Sequence, residues 1–306
     1  MVLAPSRYGR TIGYIMGWLT NAGWLFVCSA CLLYASQFTM AIIQAAHPHF
    51  VATSWQTYLV YCAYALVSLA LNLPPSFKGI KYLLKAALFA INGTAVAMFV
   101  ALLVRANPKQ SAHMVFIDYV NESGWSDGTV FFLALLPAYA SLAGLDNATH
   151  LTDELDDPQK QVPQVIIGTF LMNFFTALPM IVVYQFCNVD PESLLESVGD
   201  QPLIQLMLNA FRSLPLTIVM ATALIYNLFM SSASSILTFS RLYWSFSREE
   251  ALPVPKTMSR LSSRESLPVN ALCWCTFLSI AIGAISVGSA TAVSTLLLFF
   301  QHHLIS

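Results

Sequence analysis

Charge is what this sequence holds least of. Asp, Glu, Lys and Arg make up 9% of its 306 residues, against roughly a quarter in soluble domains, and the stretch from Thr11 to Phe77 contains none of them. A soluble fold is thereby excluded. A chain that is 57% hydrophobic, with a mean hydropathy of +0.66, reads as an all-α protein integral to a membrane. The few charges lie in loops rather than in a patch, so nothing points to nucleic acid as a partner. A Gly-Lys-Ser/Thr phosphate loop is missing, which leaves ATP-driven work unsupported, and no cofactor is implied. Metal chemistry fares no better. Cys28 with Cys31, and Cys273 with Cys275, have ligand-like spacing, but they sit in apolar spans without His or carboxylate partners and read as buried thiols.

What the chain has in quantity is apolar length. About 20 helical residues cross a hydrocarbon core of roughly 30 Å. On that measure seven spans are expected, near 15–43, 57–73, 82–104, 129–151, 162–187, 214–239 and 267–287, in one polytopic domain over 1–306. A further run, 290–300, is too short to cross unaided and counts as a partial eighth. The first run is too long for a signal-peptide core, and no small-residue cleavage site follows it. Arg7, Arg10, Lys78, Lys81, Lys85, Lys160, Arg241, Arg248, Lys256, Arg260 and Arg264 fall on one side of these spans, against Arg105, Lys109 and Arg212 on the other. The positive-inside rule then puts the N-terminus in the cytoplasm. Seven-helix receptors of the G-protein-coupled type are oriented the other way. An intramembrane aspartyl protease also fits poorly, because Asp146 is the only central carboxylate of any span and such a site needs two that share a proton.

The fourth span is interrupted. FFLALLPAYASLAGLDNATHLTDELDDPQKQVP, from Phe131 to Pro163, carries Pro137 and Gly144 inside a membrane-length run and turns acidic before it ends. Within a bilayer a helix can break only where the freed backbone groups face protein or a water-filled cavity, and discontinuous helices of this kind mark transporter substrate sites. A packing kink is the plainer alternative, since Pro and Gly are both frequent in membrane helices.

Two loops carry more specific sequence. Gly144-Leu145-Asp146-Asn147-Ala148-Thr149-His150-Leu151-Thr152-Asp153-Glu154, with Asp157-Pro158-Gln159-Lys160 and Val162-Pro163 after it, resembles the G-x-D-x-x-x-H-x-x-E-E…NP-x-K-x-x-P signature of amino acid permeases in the amino acid-polyamine-organocation superfamily. Ser240-Arg241-Leu242-Tyr243-Trp244-Ser245-Phe246-Ser247-Arg248-Glu249-Glu250-Ala251-Leu252-Pro253, followed by Leu267-Pro268-Val269-Asn270-Ala271, is similar to the S-R-x-x-W-x-F-A-R-D-x-x-L-P loop of the fungal branch that includes GABA, choline and general amino acid permeases.

The resemblance implies a leucine-transporter-like bundle of two inverted five-helix repeats, present here in incomplete form. The spans correspond to the family's third through ninth helices, and the family's first broken helix has no counterpart. The implied activity is secondary transport of an amino acid, GABA, choline or a similar small amine, coupled to protons, by alternating access around the broken helix, and not enzyme catalysis. The implied location is the plasma membrane, with lipid and the small-molecule substrate as partners. A truncated relative that binds or regulates without transporting is the alternative.

The break would then form the binding site. The outer half-helix would end in free carbonyls that suit an amine, and the inner half would begin near Gly144 with free N–H groups that suit a carboxylate. Tyr139, Ala140, Ser141, Ala143 and Gly144 are the substrate-site candidates, with Tyr139 offering a ring face to a cation. Asn227 and Ser231, among several small polar residues of the sixth span, are added to them, although such residues also serve close helix packing. Asp146, His150, Asp153, Glu154, Arg241 and Arg248 are candidates for coupling or gating. Two readings stand for Asp146, which sits where it would cap the inner half-helix or meet a substrate or proton. Asn21 and Trp24 of the first span face either the cavity or the packing. Asn121-Glu122-Ser123 is an N-glycosylation sequon in a loop expected outside.

Overall fold

The computed structural model describes residues 9–73, 77–119, 121, 123–140, 149, 157–252, 255–262 and 267–289, with the side chains of all of these except 77, 78, 80, 81 and 136–140. Every regular element among the described residues is helical. In chain order they are α1 (Gly9–Ala46), α2 (Ser54–Asn72), α3 (Phe77–Arg105), α4 (Ala112–Phe116), α5 (Asp127–Ala140), α6 (Pro158–Cys187), α7 (Glu192–Leu195), α8 (Pro202–Phe211), α9 (Leu214–Arg248), α10 (Pro255–Met258), α11 (Val269–Gly283) and α12 (Ile285–Gly288). Among the described residues, five helical stretches are long and apolar enough to cross a membrane: α1, Tyr82–Arg105 of α3, α6, α9 and Val269–Gly288. The 19-residue α2 has the length, but its Tyr, Ser, Gln and Asn side chains dilute its apolar content. Of the interrupted fourth span, α5 is the described part, and its break lies outside the described residues.

Four helices make the core. α1 and α9 share the longest interface, and α2 and α11 pack onto both of them. Inside, Phe26, Leu32, Leu33, Tyr61, Ile236 and Leu272 are buried together, while Trp24, Phe239, Tyr243, Leu252, Ala271 and Cys275 form a second cluster towards the start of α1. In a bilayer the hydrophobic effect does not hold such helices together, so close approach and interhelical hydrogen bonds must. The small residues show where. A Cβ on Gly17 of α1 would land in the ring of Phe246 on α9, and one on Gly283 would land in the ring of Tyr61 on α2.

The two long helices outrun their apolar stretches. At about 1.5 Å per residue, the 38 residues of α1 span about 57 Å, well beyond the hydrocarbon core. α9 likewise continues past Phe239 to Arg248, where the basic side chain sits favourably at a helix C-terminus. Beyond Arg248 the chain is tied back: Trp244 Nε1 donates to the Ser259 carbonyl at 3.0 Å and Asn270 Nδ2 to the Thr257 carbonyl at 2.9 Å.

At the opposite end of the bundle, α8 is amphipathic and buries Ile204, Leu206, Met207, Ala210 and Phe211 against Ala41 of α1, Met98 and Leu102 of α3 and Val183 of α6. Just before it, Gly199 adopts a left-handed φ of 62° and lies so close to α1 that a Cβ there would stand 2.8 Å from Ala41 Cα. Arg105 Nη2 caps the end of α8 through the Phe211 carbonyl at 3.2 Å.

Candidate functional site

The polar residues of α9 divide between two faces. One is closed by the core. Ser232, Ser235, Thr238 and Ser240 are buried, and Ser232 Oγ donates to its own Phe229 carbonyl at 2.7 Å while meeting Ser68 Oγ of α2 at 3.1 Å. One turn further along α2, Asn72 Nδ2 donates to the Ala233 carbonyl of α9 and to the Ser68 carbonyl, each at 2.9 Å. The Ser68–Ser232 and Asn72–Ala233 contacts cross between the helices and hold α2 against α9; Ser232, Thr238 and Ser240 donate within α9 itself, and Asn72 Oδ1 has no donor among the described residues.

The other face is partly open. Asn227, Ser231 and Ser234 are only partly buried. Asn227 and Ser231 are four residues apart and so project from the same side of the helix. The carbonyl oxygen of Asn227 is itself shielded and, like those of Asn21, Asn72 and Asn188, has no hydrogen-bond donor among the described residues. A buried acceptor without a donor costs on the order of 1–3 kcal/mol, which a ligand N–H or a water would relieve.

The remaining site candidates are distributed as follows. Tyr139 and Ala140 are the last two residues of α5, with side chains outside those described. Ser141, Ala143, Gly144, Asp146, His150, Asp153 and Glu154 lie outside the described residues. Arg241 and Arg248 lie in the last three turns of α9; Arg241 is partly buried, and Arg248 is exposed with its guanidinium 5.0 Å from the centroid of the Trp244 ring. Asn121 is folded into its loop: Nδ2 donates to the Trp125 carbonyl and to Asp127 Oδ1, both at 2.8 Å, and Oδ1 accepts from Ser123. Both protons of the amide, one of which a glycan would replace, are therefore engaged.

The two residues left open in the first span differ in placement. Trp24 packs into the cluster of Phe239, Tyr243 and Leu252. Asn21 is 4% exposed and donates to the Gly17 carbonyl at 2.8 Å. Among the thiols, Cys28 is buried and accepts from Ser279 Oγ at 3.6 Å. Asn72 was not anticipated from sequence. Its signal was available as an amide at the end of an otherwise charge-free apolar run.

A cavity of 820 Å³ opens at the α8 end of the bundle, between the second half of α1, the start of α2 and residues 197–202. Its wall is mixed, with Tyr34, Gln37, Gln44, Thr57 and Gln201 beside apolar groups, and Asp200 is the one charged residue among the described residues that line it. The volume falls in the range of small-molecule sites.

Comparison with known proteins places these features in a family. A family model described as amino acid permease matches residues 2–305. The chain is 26% identical over 303 residues to a choline transporter of Saccharomyces cerevisiae, covering 96% of this chain and 52% of that protein. It is 26% identical over 295 residues to a GABA-specific permease of the same yeast, covering 93% and 50%. It is 24% identical over 314 residues to that yeast's 7-keto 8-aminopelargonic acid transporter, covering 97% and 55%. The chain thus spans about half the length of these curated relatives.

Proposed function

The chain belongs to the amino acid permease family, a family of multi-pass membrane permeases and not of enzymes, and from that premise we propose that it works as a secondary transporter for a small amine. The observation that carries the reading is the Asn227 carbonyl oxygen, a shielded acceptor without a donor on the open face of α9. An amine N–H satisfies it, and Ser231 one turn away offers a second polar contact.

The substrate site in this reading lies between that face and the break after α5, with Tyr139, Ala140, Ser141, Ala143 and Gly144 contributing ring and backbone groups. The names of the three relatives, choline, GABA and 7-keto 8-aminopelargonic acid, share a nitrogen centre, which supports an amine or amino acid here. Protons drive the cycle, and Asp146, His150, Asp153 and Glu154 at the inner half-helix, with Arg241 and Arg248 at the end of α9, open and close the cytoplasmic route. The N-terminus is cytoplasmic and the membrane is the plasma membrane, so the cavity beside Asp200 faces outward and collects the cationic end of the substrate.

Uptake of labelled GABA, whose ammonium carries N–H groups, in yeast cells lacking their own permeases tests this. Asn227→Leu and Ser231→Ala are expected to cut uptake by about ten- to a hundredfold, the scale of one lost hydrogen bond to a charged group. Gly144→Leu and Tyr139→Ala in the same cells test the break. Unchanged uptake and affinity in all four variants would remove this site assignment, and substrate binding without uptake would replace transport by a regulatory role.

A further inference from the structure

A second cavity, of 450 Å³, lies at the other end of the bundle, between the first turns of α1 and the last turns of α9. Arg10, Tyr14 and Asn21 line it from α1, and Ser245, Phe246 and Glu249 from α9 and the residue that follows it. Its chemistry differs from that of the outer cavity, because it holds one cation and one anion. Arg10 and Glu249 are both exposed, and among the described residues neither forms an ion pair. The space between them is therefore lined by opposite charges that do not neutralise each other.

The floor supplies the second observation. Asn21 is more than nine-tenths buried. Its Nδ2 is committed to the Gly17 carbonyl, which fixes the amide orientation, and its Oδ1 has no donor. The walls are aromatic: Tyr14 and Phe246 have ring centroids 6.0 Å apart, and Trp18 packs 5.9 Å from Phe246. A pocket with an amide oxygen, a carboxylate and a guanidinium that are unpaired among the described residues is complementary to a molecule that brings an N–H-bearing cation and an anion together.

We propose that this cavity is a binding site for a compound carrying a primary ammonium and an anionic group, the ammonium meeting Asn21 Oδ1 and Glu249 and the anion meeting Arg10. It is separate from the site proposed at Asn227. On the orientation given above it opens to the cytoplasm, where its occupancy reports the level of the amino compound on the inner side. Two sources carry this chemistry, a free amino acid and the headgroup of phosphatidylethanolamine.

The full chain in phosphatidylcholine nanodiscs, whose lipid has no N–H to offer, is titrated with 4-aminobutyrate and with its N-trimethyl derivative. The measurements use the Asn227→Leu variant, so that failure of the first site does not affect the result. Saturable binding of 4-aminobutyrate is expected, with the trimethyl compound weaker by about tenfold or more and with Arg10→Gln and Glu249→Gln each weakening 4-aminobutyrate by about tenfold. Arg212→Gln, at the far end, leaves binding unchanged. A repeat with phosphatidylethanolamine in the disc separates the sources: lost 4-aminobutyrate binding assigns the site to the headgroup, and unchanged binding assigns it to the free solute. No binding at millimolar concentration, equal binding of the trimethyl compound, or indifference to both charge variants overturns the proposal. Arg10 and Glu249 are exposed, so their variants do not confuse lost binding with lost folding.

Discussion

Asn72 at the end of α2 reaches across the bundle and donates its amide to the Ala233 carbonyl of α9 at 2.9 Å. The bond is not part of any helix ladder, and it is made beside a second crossing contact. Because Ser232 donates to Phe229 at 2.7 Å, the proton shared with Ser68 at 3.1 Å comes from Ser68. Two adjacent hydrogen bonds thus set the register of α2 on α9. Asn72→Leu, close in volume, is expected to lower stability in bicelles by about 1 kcal/mol, and the Ser68→Ala/Ser232→Ala cycle to return a coupling of about 0.6 kcal/mol. Zero coupling in that cycle would show the two hydroxyls to be merely adjacent.

Phe246 of α9 covers Gly17 of α1 so closely that a Cβ on Gly17 would land in its ring. Gly17→Val should cost about 1–3 kcal/mol by overpacking, and Phe246→Leu in the same chain should recover most of that loss. Thermal unfolding of the single and double variants decides the matter. If the double variant is no better than Gly17→Val alone, the ring is not what the new side chain meets.

The loop between α9 and α11 hangs on two side chains. Trp244→Phe keeps the ring and loses the donor to Ser259, and Asn270→Leu loses the donor to Thr257. Each is expected to loosen the loop by about 1 kcal/mol, read as cleavage over residues 249–262 several times faster under limited proteolysis. The two effects should nearly add, since the bonds have no shared partner.

Tyr61 and Gly283 provide a fourth comparison. Tyr61→Phe removes only the hydroxyl that donates to the Ser279 carbonyl at 2.7 Å and should cost about 1 kcal/mol. Gly283→Ala drives a methyl into the ring and should cost more. The reverse order of stabilities in a denaturant titration would mean that α11 shifts easily away from α2.

The all-helical membrane class was legible because hydrocarbon demands long apolar runs, and the near absence of charge leaves few other solutions. The ends of α1 and α9 were not legible. Hydropathy marks where a helix leaves the hydrocarbon, not where its backbone bonds stop, so α9 continues through the polar stretch Ser240 to Arg248. The same stretch was readable as a family signature, and the structure gives parts of it work: Trp244 anchors a loop, Phe246 covers Gly17, and Leu252 and Leu267 are buried. Among the serines of α9 the sequence could not sort faces. One position rotates a side chain by about 100° on a helix, and that rotation separates partly open Ser231 from fully buried Ser232. Which of them faces a partner depends on where α2 lies, and no local pattern carries that. The break at Gly144, the most informative stretch of sequence, falls outside the described residues, so its chemistry rests on the resemblance.

The closeness of Gly199 to Ala41 works as a detent on α1. Helical neighbours of Ala41 on the same side are Phe38 and Gln44 or Gln37 and Ala45, one turn below and above, and most of these are far bulkier. Sliding α1 by about one turn would present one of them to a glycine whose site is already filled by Ala41. Any axial travel of α1 relative to the connector at 197–201 must therefore proceed in steps, with the turn at 199 lifting off and reseating, or the two must move as a single piece.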